Sequence, residues 1–137
     1  MTEVPQSQSY QRTRSDHASE IAEDYVEAIA DLIDTHGQCR VRDLADHFGV
    51  THVTVVRTVQ RLERDELVST QPYKPVELTK KGRRLANACK RRHEIVYAFL
   101  LALGVDPRVA AVDAEGIEHH VSPPTLKQFR RFLDRNS

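Results

Sequence analysis

Val41-Arg42-Asp43-Leu44-Ala45-Asp46-His47-Phe48-Gly49-Val50-Thr51-His52-Val53-Thr54-Val55-Val56-Arg57-Thr58-Val59-Gln60-Arg61-Leu62 reads as two short helices joined by a tight turn. Ala45 is small where two helices would cross closely. Gly49 can take the left-handed backbone conformation that ends the first helix, because it has no Cβ to clash. Thr51 is placed to cap the second helix, and Val55, Val59 and Leu62 give that helix one buried stripe at i, i+4 and i+7. The stripe turns Thr51, His52, Val53, Thr54 and Arg57 outward at the helix start, where side chains of helix-turn-helix modules enter the major groove. A generic helical hairpin explains the stripe but not the small residue, the glycine and the cap in these positions. Its β-branched valines lower the second helix's propensity, so it depends on packing.

Downstream, Glu63-Arg64-Asp65-Glu66 ends the second helix and a short hairpin follows. Its arms are Leu67-Val68-Ser69-Thr70 and Val76-Glu77-Leu78-Thr79, around Gln71-Pro72-Tyr73-Lys74-Pro75. The two prolines confine pairing to the turn or an edge. A helix-turn-helix followed by a basic-tipped hairpin is a winged helix. Lys74 at the tip, with Lys80, Lys81, Arg83 and Arg84 behind it, is expected along DNA phosphates. The DNA-binding set is therefore Thr51, His52, Val53, Thr54, Arg57, Arg61 and Lys74.

Composition bounds the rest. The chain has 137 residues, no Trp and only 6% aromatics, so one large or two small domains must close on an aliphatic core. No apolar run approaches the ~18 residues of a membrane span, and the N-terminus has no apolar signal core. Cys39 and Cys89 are far apart and form no Cys-x-x-Cys pair, which suits buried thiols in a reducing cytoplasm. Net charge is zero, yet it is unevenly spread. Asp16 to Asp34 holds seven acids and no Lys or Arg, whereas Arg40 to Arg92 holds thirteen bases against six acids. A basic middle beside an acidic flank suits a DNA binder under cation control.

The acidic flank predicts a helix from Asp16 or Ser19 to Asp34, with Tyr25, Ile29, Leu32 and Ile33 on one stripe and Gly37 after its end. Glu20, Asp24, Glu27 and Asp31 share another face, and spacing alone does not choose a metal ligand among them. Residues 1–15 are polar and aperiodic and are expected to form a flexible tail.

Thr79 is placed to cap a long helix to Leu103, stopped by Gly104. Asp106-Pro107 and Ser122-Pro123 each open a further helix. The first of these leads into Asp113-Ala114-Glu115-Gly116-Ile117-Glu118-His119-His120. On one helix, Glu115, Glu118 and His119 would stack on a single face, and two carboxylates beside an imidazole suit a divalent cation. A solvated helix end is the plainer account of any one of them. The last helix carries Leu126, Phe129 and Leu133 on one stripe. Three short C-terminal helices expose more apolar surface than they can hide, which predicts a homodimer.

These stretches give the chain a resemblance, over about residues 20–133, to the metal-dependent repressors related to the diphtheria toxin repressor. It is most similar to their manganese transport regulator branch. The resemblance is carried by Glu23-Asp24-Tyr25-Val26-Glu27, the helix-turn-helix, Arg92-His93-Glu94 and Asp113 to Ser122. It implies a mainly α fold, with an N-terminal winged helix-turn-helix domain (16–84) and a C-terminal helical dimerisation and metal-binding domain (85–137). It implies Asp24, Glu27, His93, Glu115, Glu118 and His119 as ligands of a cluster of two Mn(II) ions per subunit. It implies a cytoplasmic, non-enzymatic repressor of manganese-uptake genes that binds double-stranded DNA at a palindromic operator. The larger relatives carry a third, SH3-like domain, which is not expected here.

Iron-type relatives place sulfur-bearing or thiol side chains at two cluster positions that are Asp24 and Glu115 in this sequence. Four carboxylates and two imidazoles form a hard, oxygen-rich set suited to Mn²⁺. His120, next to a ligand, either supports it or is exposed. Two other readings stand beside this one, a metal-independent winged-helix regulator and a dinuclear metal hydrolase.

Overall fold

The computed structural model describes the backbone of residues 6–137 and the side chains of residues 17–137. The described chain is mainly α: α1 (Gln6–His36), α2 (Val41–Phe48), α3 (His52–Arg64), β1 (Val68–Ser69), β2 (Glu77–Leu78), α4 (Lys80–Ala102), α5 (Pro107–Ile117) and α6 (Pro123–Arg135). It divides into two units. One comprises residues 21–87, and the other joins 88–137 to the chain before residue 21.

α1 begins ten residues before the expected Asp16, so the expected tail is helical from Gln6 onward. Neither Pro nor Gly occurs between Gln6 and Gly37. Once later turns are fixed by packing, each further residue adds a hydrogen bond at little added cost, and polar sequence does not stop it. The part of the expected tail in residues 1–5 lies outside the described residues.

In the unit of residues 21–87, the core is aliphatic as composition requires. Val26, Ile29, Leu44 and Val55 are fully buried and Leu62 nearly so, with Val59, Leu67, Val68 and Val76 closing round them. The helix-turn-helix forms as its residues predict. Gly49 adopts φ 65°, ψ 39°, and the Thr51 hydroxyl accepts from the Thr54 N–H at 3.2 Å. At the start of α2, the Asp43 carboxylate accepts from the Arg40 N–H at 2.8 Å. The hairpin is short, pairing only Val68 with Leu78 and Ser69 with Glu77. Its base is tied to α4, because the Leu67 carbonyl accepts from the Thr79 N–H while the Thr79 hydroxyl accepts from the Gly82 N–H.

In the other unit, α4 packs on α6 through aromatic rings. Phe99 stacks on Phe129 with centroids 4.0 Å apart and meets Phe132 edge-on. Asp106 and Ser122 cap α5 and α6 with side-chain oxygens, each followed by Pro. Between α5 and α6 lies an open groove of about 760 Å³, whose lining includes Val112, Gly116, Ile117, Val121 and Phe129. Leu101, Leu103, Val109 and Val112 remain exposed nearby in sequence. No helix of the described residues is long and apolar enough to cross a membrane.

Candidate metal centre and nucleic-acid interface

α5 ends at Ile117, earlier than a helix carrying the whole acidic motif would require. Glu118 is its C-cap residue and His119 and His120 form the turn that follows. Glu118 nevertheless keeps helical angles (φ −58°, ψ −30°), and its N–H donates to the Ala114 carbonyl at 3.0 Å, so it continues the path of α5 one turn beyond Glu115. Glu115 is exposed on α5, whereas the Glu118 and His119 side chains are 5% and 3% exposed. The Ser122-Pro123 start of α6 follows closely and leaves only a short turn between the two helices.

Glu118 is the only buried charged residue among those described. Its Oε2 lies 2.7 Å from His93 Nδ1, projected from α4, and its Oε1 lies 3.6 Å from His119 Nε2. Burial pushes the Glu118 carboxyl above its ordinary range. His93 and His119 pull it back, and the charge of Glu115 adds to the upward push. Four residues of the expected ligand set, His93, Glu115, Glu118 and His119, thus belong to one unit, with Glu118 contacting both histidines and Glu115 acting on Glu118 through its charge. Asp24 and Glu27, the other two, are half-buried on α1 in the unit of residues 21–87.

A buried carboxylate flanked by imidazoles fits a dication well. Neutral imidazole nitrogen and carboxylate oxygen are both good first-row ligands, and a cation lets the carboxylate stay ionised where burial disfavours it. The residues present therefore suit a metal.

Glu20 shares a face of α1 with Asp24, Glu27 and Asp31 and stands outside the ligand set that the resemblance implies. In the structure, donor atoms of Glu20 and His119 lie within 4.8 Å of one another. Glu20 Oε2 also stands 3.6 Å from His120 Nε2. The available signal was its position one turn before Asp24, though Asp31 has the same spacing from Glu27.

On the DNA-binding side, Thr51, His52, Val53, Thr54, Arg57, Arg61 and Lys74 are all exposed. Val53 is 59% exposed and Val56 40%, so methyl groups stand among the polar residues of α3. Tyr73, beside Lys74 at the hairpin tip, is almost wholly exposed with φ 64°. Two bases expected on phosphates are engaged within the chain. Lys81 donates to the Asp65 carbonyl at 2.9 Å, and Arg83 lies 3.7 Å from the Asp34 carboxylate.

Residues 17–76 match the family described as iron dependent repressor, N-terminal DNA binding domain, and residues 79–137 match its metal binding and dimerisation domain. The chain is 43% identical over 129 residues to the transcriptional regulator MntR of Escherichia coli O6:H1, covering 94% of this chain and 83% of that protein. It is 42% identical over 100 residues to the HTH-type transcriptional regulator MntR of Listeria monocytogenes serotype 4a, covering 73% and 70%. Among solved structures, a manganese-dependent transcriptional repressor in complex with manganese superposes with TM-score 0.74 at 30% identity, over 82% of this chain and 52% of that one. The manganese regulator SloR superposes with TM-score 0.72 at 28% identity, over 82% and 53%. The chain spans about half the length of these solved relatives.

Proposed function

The chain belongs to the iron-dependent repressor family of metal-dependent transcriptional regulators, and from that premise we propose a Mn(II)-activated homodimeric repressor of manganese-uptake genes. It acts in the cytoplasm on a palindromic DNA operator and holds two ions per subunit. Residues 16–84 serve as its DNA-binding domain and 85–137 as its dimerisation domain. The observation that carries the metal reading is the buried Glu118 carboxylate held between His93 and His119. The manganese named in the description of a solved relative at 30% identity supports the choice of ion.

Asp24, Glu27, His93, Glu115, Glu118 and His119 are the ligands in this reading. Bound Mn(II) supplies positive charge that offsets the mutual repulsion of four carboxylates. His93 orients Glu118 through the 2.7 Å contact, and burial of Glu118 and His119 keeps water from competing for them. Asp24 and Glu27 lie on the helix that enters the DNA-binding domain, so their engagement couples ligand occupancy to that domain. A coupling of about 1–3 kcal/mol is ordinary for such a switch, provided the ion prefers the DNA-competent form. The second copy covers the apolar surface of α5 and α6.

On the DNA, Thr51, His52, Val53, Thr54, Arg57 and Arg61 face the major groove from α3, and Lys74 reaches phosphate from the hairpin. In a dimer, two such helices meet half-sites about one helical turn apart. The test is Glu118→Ala. It abolishes metal-dependent operator retardation while leaving a folded dimer by circular dichroism and sedimentation. Undiminished stimulation by Mn²⁺ refutes the assignment. Zn²⁺ is expected to activate the wild-type protein less than Mn²⁺.

A further inference from the structure

Glu20 and the turn formed by His119 and His120 belong to the same unit, although about a hundred residues of chain separate them. The Glu20 carboxylate faces two imidazoles, with a donor atom within 4.8 Å of His119 and Oε2 3.6 Å from His120 Nε2. Donors on opposite sides of one first-row dication are about 4.2 Å apart, twice a bond of ~2.1 Å. A small side-chain rotation therefore closes Glu20 and His119 on a common ion. Exposure is graded across the group. The His119 side chain is 3% exposed, that of Glu20 31% and that of His120 49%. The group therefore runs from a sealed donor at His119 to solvent at His120, with Glu20 between them in exposure.

We propose that Glu20 is a further metal ligand, outside the six residues the family resemblance implies, and that His120 is a positioning residue that holds the Glu20 carboxylate toward His119. The inference deepens the metal-site reading above and rests on it.

The full chain is titrated with Mn²⁺, free ion being followed by its electron paramagnetic resonance signal, and separately with Co²⁺, followed by visible absorption. Glu20→Gln, which keeps size and removes the anionic oxygen, weakens one Mn²⁺ site at least tenfold and alters the Co²⁺ spectrum. Glu20→Asp, a shorter carboxylate, falls between Gln and wild type. His120→Gln weakens binding less and leaves the Co²⁺ spectrum in place. Asp31→Asn, an exposed acid on the same helix, changes neither and controls for loss of bulk charge. Wild-type Mn²⁺ affinity in both Glu20 variants overturns the proposal, and so does weaker affinity with an unchanged Co²⁺ spectrum. Both leave the metal site itself intact. A wild-type chain that binds no Mn²⁺ overturns the site reading and the role of Glu20 with it. Circular dichroism verifies helix content throughout.

Discussion

Replacing Gly82 with Ala tests how the hairpin is held. A Cβ at residue 82 would sit 2.0 Å from the Leu67 carbonyl oxygen, where ordinary van der Waals contact begins at 3.4 Å. The obstacle is backbone, so no side chain can swing away. The first turn of α4 and the chain entering β1 must part by about 1.4 Å, the shortfall between those distances. That movement breaks the 3.1 Å bond from the Thr79 N–H to the same Leu67 oxygen. Overpacking of this kind costs about 1–3 kcal/mol, and the upper half of that range applies because the atom the Cβ meets is main chain. For a unit of this size the melting temperature then falls by roughly 10–20 °C. Calorimetry reads the loss of stability, and footprinting on operator DNA reads the displaced hairpin as lost protection at its edges. Mn²⁺ affinity serves as the internal control and is expected to change little, because Gly82 lies outside the donor set. Wild-type melting together with a wild-type footprint refutes the reasoning.

Lys74→Ala lowers operator affinity and reduces the log–log salt slope by about one unit, measured by fluorescence anisotropy across a salt series. Burial, with the charge of Asp43 adding to it, pushes the Cys39 thiol up to about 12 from its ordinary 9.0. The native state therefore keeps its proton where the unfolded chain has already lost it. Stability falls by about 1.4 kcal/mol per pH unit as pH rises from the unfolded value toward the folded one. Urea unfolding between pH 8.5 and 10.5 detects this, and Cys39→Ala is expected to remove that part of the slope.

The helix-turn-helix was legible because its signals are local. Gly49 ends one helix, Thr51 starts the next, and Val55, Val59 and Leu62 fix which face is buried, all within one short stretch. The start of α1 was not legible, since residues near Gln6 carry no apolar period and follow turns fixed further along the chain. Burial within the acidic motif was also hidden. Glu115 and Glu118 are the same residue type three positions apart, yet one is exposed and the other sealed against His93 and His119. Glu20 looked equivalent to its acidic neighbours, and only the folded placement of the turn after α5 singles it out. The resemblance supplied His93, which periodicity alone would have assigned to ordinary packing.

The methyl groups of Val53 stand out from the start of α3 amid hydroxyl and guanidinium neighbours. Contact between such methyls and a thymine methyl displaces no counterion, whereas each phosphate grip does. Rising ionic strength therefore strips hold before it strips discernment. Under the proposed placement of α3 in the major groove, higher salt shortens residence on an operator while the choice between sequences is kept.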